Sequence, residues 1–209
     1  MVGANRLGGR SHRDRRHLTG AGHRITLTST DVDLLTSARR CLGLSNRIGW
    51  STGGLGSGTC RLQWRDRAFH EWLIAIGLTP RKSFTIGALK IPDEYFSDFV
   101  RGCIDGDGTV LVYTDRSHAA RDASYVYTRL YVSLVSASRP FLEWIKATIH
   151  RLLGLEGGLH PKRCPGRRPV WVLRCAKTAS TRLLAWMYYA RDVPCLARKR
   201  SKAEPFIPR

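Results

Sequence analysis

Two stretches of this chain carry the same pattern, separated by about a hundred residues, the mark of an internal duplication. Ile25-Thr-Leu-Thr-Ser-Thr-Asp-Val-Asp-Leu-Leu35 parallels Val132-Ser-Leu-Val-Ser-Ala-Ser-Arg-Pro-Phe-Leu142, and each copy runs on to a Leu-Gly-Leu, residues 42–44 and 153–155. In both copies an alternating, strand-like run gives way to a helical one with apolar residues at i, i+3 and i+4. A duplicated strand–helix unit restricts the chain to folds built from two like halves.

The remaining pattern extends the repeat. In the first half the alternation predicts a strand over 23–30. Thr30 or Asp31 can cap a helix over 31–42 that carries Leu34, Leu35, Ala38 and Leu42 on one face and stops at Gly43. Short strands follow near 46–51 and 59–65, around the glycine-rich segment 51–58, and then a helix over 67–76 ends at Gly77. In the second half a helix over 93–106 comes first. Strands near 109–114 and 125–136 follow, then a helix over 139–153 capped by Ser138 and stopped by Gly154. Strands near 158–163 and 169–175 flank the basic hairpin 162–168, and a last helix covers 178–190. Residues 1–22, rich in Arg, Gly and His, show little periodicity and are expected to be mobile or poorly structured.

The helix that opens the second half has no visible counterpart in the first, and it ends unusually. Residues 99–108 read Phe-Val-Arg-Gly-Cys-Ile-Asp-Gly-Asp-Gly, followed at once by the β-type run Thr109-Val-Leu-Val-Tyr-Thr114. The order places Asp105 and Asp107 at a helix tip just before a strand. Gly102 and Gly106, four apart on one helix face, would let another helix approach closely. A carboxylate fixed at such a tip is suited to a divalent cation. A calcium loop starting at Asp105 would need Gly at its sixth position and Glu at its twelfth, where Val110 and Arg116 stand, so that reading fails. A plain helix-to-strand turn stays open, because Asp-Gly is common turn chemistry.

The charge points to a polyanionic partner. Lys and Arg number 35 against 16 Asp and Glu, a formal net charge of +19, and arginine supplies most of it. With 43% hydrophobic residues and six Trp the chain can also build a sizeable core, so it is more than a basic tail. No apolar run is long enough to span a bilayer, and no secretory leader is visible, so a cytoplasmic (or organellar) location is expected. The six Cys form no CxxC pair, and His12, His17 and His23 have no partner cysteines, which argues against a zinc site.

The segment 98–108, with Gly77-Leu-Thr-Pro-Arg-Lys-Ser83 upstream and Tyr188-Tyr through Cys195-Leu-Ala-Arg-Lys199 near the end, resembles the LAGLIDADG homing endonucleases over roughly residues 23–206. The resemblance implies an α+β fold of two pseudo-symmetric αββαββα units whose antiparallel sheets straddle DNA. The first unit, 23–90, would lack its motif helix, and the second, 91–209, would carry the motif at 99–108. It also implies a site-specific DNA endonuclease that uses Mg2+ or Mn2+. Asp107 would be the metal-binding acid with help from the Gly106 carbonyl, Asp105 would brace the helix end, and Lys82 and Lys199 would be active-site basic residues whose positive charge favours the pentavalent phosphate and polarises water. The family pairs two such acids, and residues 1–22 offer only Asp14, so the first motif has been lost, lies upstream of Met1, or has degenerated. A non-cleaving derivative, such as an intron maturase or a regulator, is therefore the alternative, with intron RNA as a possible partner. An unrelated basic RNA binder is a third.

Period-two geometry on the strands assigns the DNA face to Arg24, Thr26, Arg61 and Gln63 in the first unit and to Tyr127, Arg129, Tyr131 and Ser133 in the second. Lys162, Arg163, Arg167, Arg168 and Lys177 are expected to meet phosphates. The chain is expected to act as a monomer, or as a homodimer through the motif helix.

Overall fold

The computed structural model describes residues 15–18, 22–52, 58–80, 84–117, 124–163, 165–166 and 168–207. In chain order the elements are β1 (Arg15–Leu18), β2 (Arg24–Ser29), α1 (Val32–Cys41), β3 (Ile48–Thr52), β4 (Gly58–Arg65) and α2 (Arg67–Ala75). A second series follows: α3 (Phe96–Asp107), β5 (Gly108–Asp115), β6 (Tyr127–Ser136), α4 (Arg139–Leu153), β7 (Gly158–Lys162), β8 (Val170–Cys175), α5 (Lys177–Met187) and α6 (Ala197–Ala203). The strands form two four-stranded antiparallel sheets with the same order, β1-β2-β4-β3 and β5-β6-β8-β7. This is the α+β architecture of two like units that the repeat implies.

Each sheet turns one face toward helices. In the first unit Ile25, Cys60, Leu62 and Trp64 are buried with Leu35 of α1, and Phe69 and Leu73 of α2 pack against them. In the second unit α3, α4 and α5 cover the sheet around Phe96, Val100, Ile104, Val110, Leu130, Val132, Leu142, Ile145, Leu173 and Leu184. The opposite faces carry the alternate residues of the strands.

Three local outcomes differ from the sequence reading. Regular structure begins before residue 23, because Arg15–Leu18 pairs with β2 along its length. That pairing supplies the first unit's counterpart of β5, which no alternation in Arg-Arg-His-Leu announces. The last helix, α6, lies beyond the segment where the pattern placed the final one. The expected caps at Asp31 and Ser138 precede α1 and α4, but their side chains bond elsewhere. Asp31 pairs with Arg198 Nε at 2.7 Å, and the Ser138 hydroxyl donates to the Ile86 carbonyl. Asp66, by contrast, caps α2 by accepting from the Phe69 N–H at 2.9 Å.

Candidate acidic site and sheet faces

α3 forms because Phe96, Val100, Cys103 and Ile104 recur on one face, and that face is buried to between 0 and 9% exposure on the second sheet. The helix ends without a gap at Asp107, and β5 starts at Gly108. A Cβ added at Gly108 would lie 2.6 Å from the Ile104 Cα and 2.8 Å from its carbonyl oxygen. Only glycine therefore lets the helix turn this sharply into the strand.

The two acids of the motif separate. Asp105 is 4% exposed and accepts the Leu196 N–H through Oδ2 at 3.0 Å, while its Oδ1 is buried with no hydrogen-bond partner. Burial pushes its carboxyl above the usual carboxylate range. The Leu196 N–H and the charges of Lys199, Arg101 and Arg198 offset only part of that. Asp107, two residues on, is exposed at the helix tip. The burial pattern separates the two, with Asp105 buried and hydrogen-bonded and Asp107 the carboxylate that solvent reaches.

The tip is tied to the end of the chain. Lys199 of α6 is 5% exposed, and its ammonium donates to the carbonyls of Ile104, Asp105 and Gly108 at 2.6, 2.8 and 2.8 Å. A cation on the last carbonyls of a helix compensates the negative end of its dipole. The geometry of Lys199 is that of a helix cap beside the acid, rather than a base open to solvent. Arg101 makes a second tie that sequence reasoning missed. Its Nε donates to the Pro194 carbonyl at 2.9 Å, one terminal nitrogen donates to the Met187 carbonyl at 2.7 Å, and the other meets Asp98. A buried arginine in an apolar run was the available signal, since an ion in a core needs built partners. Lys82 and Arg167 lie outside the described residues.

The cross-strand register puts the expected strand residues on common faces. In the first sheet Arg24 pairs with Arg65, Thr26 with Gln63 and Thr28 with Arg61, so Arg24, Thr26, Arg61 and Gln63 share the face away from the helices. Thr26 is 7% exposed, and its hydroxyl accepts from Gln63 Nε2 at 2.9 Å, so it orients that amide. In the second sheet Tyr113 pairs with Arg129, Leu111 with Tyr131, and Ser133 with Arg174. Tyr127, Arg129, Tyr131 and Ser133 therefore lie together as expected, and Arg174 joins them. The Arg174 guanidinium sits 5.4 Å from the Tyr131 ring centre, and Tyr113 stacks on Tyr131 at 6.3 Å. Arg129 donates to Asp115 at 3.0 Å, and the Ser117 hydroxyl and N–H, with Arg129, draw the Asp115 carboxyl down to about 2. Lys177 is exposed beside Tyr127, Arg129 and Tyr131 around an open hollow of about 450 Å³. Lys162, Arg163 and Arg168 are exposed at the β7–β8 end, with Arg168 stacked over Phe84 at 5.0 Å.

Among the described residues no three His, Cys, Asp or Glu side chains cluster as a metal site, and no helix is long and apolar enough to cross a membrane. The acid and the backbone carbonyls at the α3 tip are hard oxygen donors, the type that Mg2+ or Mn2+ takes.

No family model and no curated protein sequence matches the chain. Solved structures do. The meganuclease I-SmaMI bound to uncleavable DNA matches with a TM-score of 0.53 and 11% identity, over 92% of this chain and 83% of that one. Full-length DUF199/WhiA from Thermatoga maritima matches with a TM-score of 0.50 and 12% identity, over 93% of this chain but only 55% of that one. The homing endonuclease I-DmoI in complex with DNA and Mn aligns over 85% of this chain and 89% of that one, at 13% identity and a TM-score of 0.48. With its paired four-stranded sheets and the motif helix leading into β5, the chain has the fold of the LAGLIDADG homing endonucleases.

Proposed function

We propose that the protein binds duplex DNA across its two open sheet faces and acts on one strand at a time. The observation that carries this reading is the register of the two sheets. Leu134 pairs with Gly108 on one side and Leu173 on the other, and Leu27 likewise pairs with Arg16 and Leu62. Leu27 and Leu134 are also equivalent in the sequence repeat. Arg16 thus stands where the second unit has Gly108, and Arg15 where it has Asp107. Asp14 lies outside the described residues.

In-line attack on two strands by two metal-bound waters needs an acid from each unit. Here the second unit brings an acid, Asp107, while the residue aligned with it in the first unit is Arg15, a residue type that does not bind metal ions. Asp107 with the Gly106 carbonyl would hold one Mg2+ or Mn2+, which supplies an activated water when bound. Lys199 would act by fixing the tip that carries Asp107. The +19 charge, Arg24, Arg61, Arg129, Arg174, Lys177 and the basic β7–β8 end would provide the phosphate and base contacts.

The test is supercoiled plasmid carrying a selected binding sequence, with Mg2+ or Mn2+ and protein of measured mass. Nicked circles are expected, lost in Asp107→Asn while binding persists. Linear product from a monomer would overturn the reading. Intact plasmid with normal binding would favour the second reading, a non-cleaving DNA-binding protein, which the alignment of Arg15 with Asp107 also supports.

A further inference from the structure

The open faces of the two sheets differ in chemistry. On the first, Arg24 stands beside Arg65, Thr26 beside Gln63 and Thr28 beside Arg61, so hydrogen-bonding side chains fill the face. Gln63 donates one amide N–H to the Thr26 hydroxyl at 2.9 Å, which orients its carbonyl and second N–H as a pair. Such a face suits base edges that offer paired hydrogen-bonding atoms, guanine to arginine and adenine to glutamine. On the second face the corresponding positions are largely apolar. Leu111 stands beside Tyr131, Tyr113 beside Arg129, and Val135 beside Val172. Leu111, Tyr113 and Tyr127 are 43, 44 and 47% exposed, so solvent meets aliphatic and ring surface there.

The arginines of the second face do not restore the likeness. Arg129 donates its Nε–H to Asp115 at 3.0 Å and lies 5.7 Å from the Tyr127 ring centre. Arg174 lies 5.4 Å from the Tyr131 ring centre, and the ring of Tyr113 stacks on the same Tyr131. These guanidinium groups are laid against rings, and Leu111, Tyr113 and Tyr131 leave an apolar strip across β5 and β6. In the major groove the apolar feature of a base edge is the C5-methyl of thymine. Burying that methyl against a ring or a leucine removes it from water. We infer that the second sheet reads A·T pairs through thymine methyls, whereas the first reads its half of the site through hydrogen bonds. The inference rests on the duplex-binding reading above and adds the base class of each half-site. It also separates DNA from RNA, since uracil lacks the methyl.

The test selects duplexes from a randomised library on the full chain without divalent metal, so that nothing is cut. One half of the selected sequence is expected to be rich in A·T pairs. Replacing thymine by deoxyuridine removes the methyl and nothing else. In the A·T-rich half, with several methyls buried at about fourfold each, the replacement is expected to weaken binding at least tenfold. In the other half it is expected to cost less than about twofold. Leu111→Ser and Tyr113→Ser, both at exposed positions, are expected to keep the circular dichroism spectrum and each to shrink the deoxyuridine penalty at least threefold. Gln63→Ala is expected to leave that penalty whole. A selected site without an A·T-rich half, equal penalties in the two halves, no penalty in either, or a penalty that neither serine variant shrinks overturns the inference while duplex binding stands. A chain that retains no duplex overturns the binding reading itself, and the inference with it.

Discussion

The two units share a strand order but differ in how they are closed. In the second, three helices cover the sheet, and the core continues through Tyr188, Val193 and Ala203 to the end of the chain. In the first, among the described residues, five buried residues make the core, helped by partly buried neighbours. Buried apolar area sets local stability. The comparison teaches that one topology can be kept by two quite different amounts of core, provided that the weaker half leans on the stronger. Arg198 of α6, paired with Asp31 at the start of α1, is one such contact.

The sharpest way to break this comparison is to cut each core in turn. Phe96→Ala, at a fully buried ring, is expected to cost about 3–5 kcal/mol and to release amide exchange in both units. Leu62→Ala is expected to cost about 2–5 kcal/mol, and its effect should stop at the first unit, with β5–β8 still protected. Equal spread of both changes, read by hydrogen exchange, would show that the halves unfold as one.

Next in size is Lys199→Met, which keeps the stem and leaves three helix-end carbonyls without their ammonium. A loss of about 1–3 kcal/mol in chemical denaturation is expected, with any nicking reduced along with it. Loss of nicking at full stability would give Lys199 a direct chemical role instead.

Smaller again is Asp105→Asn. A raised folded-state pKa means that the folded protein holds the proton more tightly than the unfolded chain. Its stabilising effect is complete below the ordinary carboxylate pKa and fades as pH rises through the folded value. The neutral variant is therefore expected to melt higher than the parent at pH 8 and no higher near pH 4, by scanning calorimetry. A lower Tm at pH 8 would mean that the pairing with Lys199 and Arg101 outweighs burial.

The smallest effect concerns the open faces. Asp115→Ala releases Arg129 and removes a negative charge from the second sheet's open face. Duplex binding is expected to tighten by a few fold, with a steeper dependence on salt. Across the whole protein, a fourfold rise in salt should cost about three decades of affinity if six or more phosphates are met. Weaker binding by the variant would show that Asp115 positions Arg129 for its contact.

Much of this was readable from the sequence. Helix and strand periods located α1 to α5 and β2 to β8, because in each an apolar face had to be buried. β1 was not readable, since Arg15-Arg-His-Leu18 gains its strand form from the ladder with β2. α6 was missed for a related reason, as Ala-Arg-Lys-Arg-Ser-Lys-Ala has no apolar period and is held by polar contacts. In the site, the place of Asp105 and Asp107 at a helix tip before a strand followed from the motif. The buried seat of Lys199 did not, because its acceptors are backbone carbonyls more than ninety residues away, and carbonyls leave no trace in a sequence. The alignment of Arg15 with Asp107 became visible only once the strands were paired.

The seat of Lys199 also fixes when the acidic tip can take shape. The motif leaves the ribosome early, but the ammonium that gathers its last carbonyls is made some ninety residues later. Until then the turn from α3 into β5 lacks its clasp, and Asp107 has no settled position. The tip that carries Asp107 is therefore clasped only on a chain that has been synthesised through α6, and a product released short of residue 199 would carry the motif without that clasp.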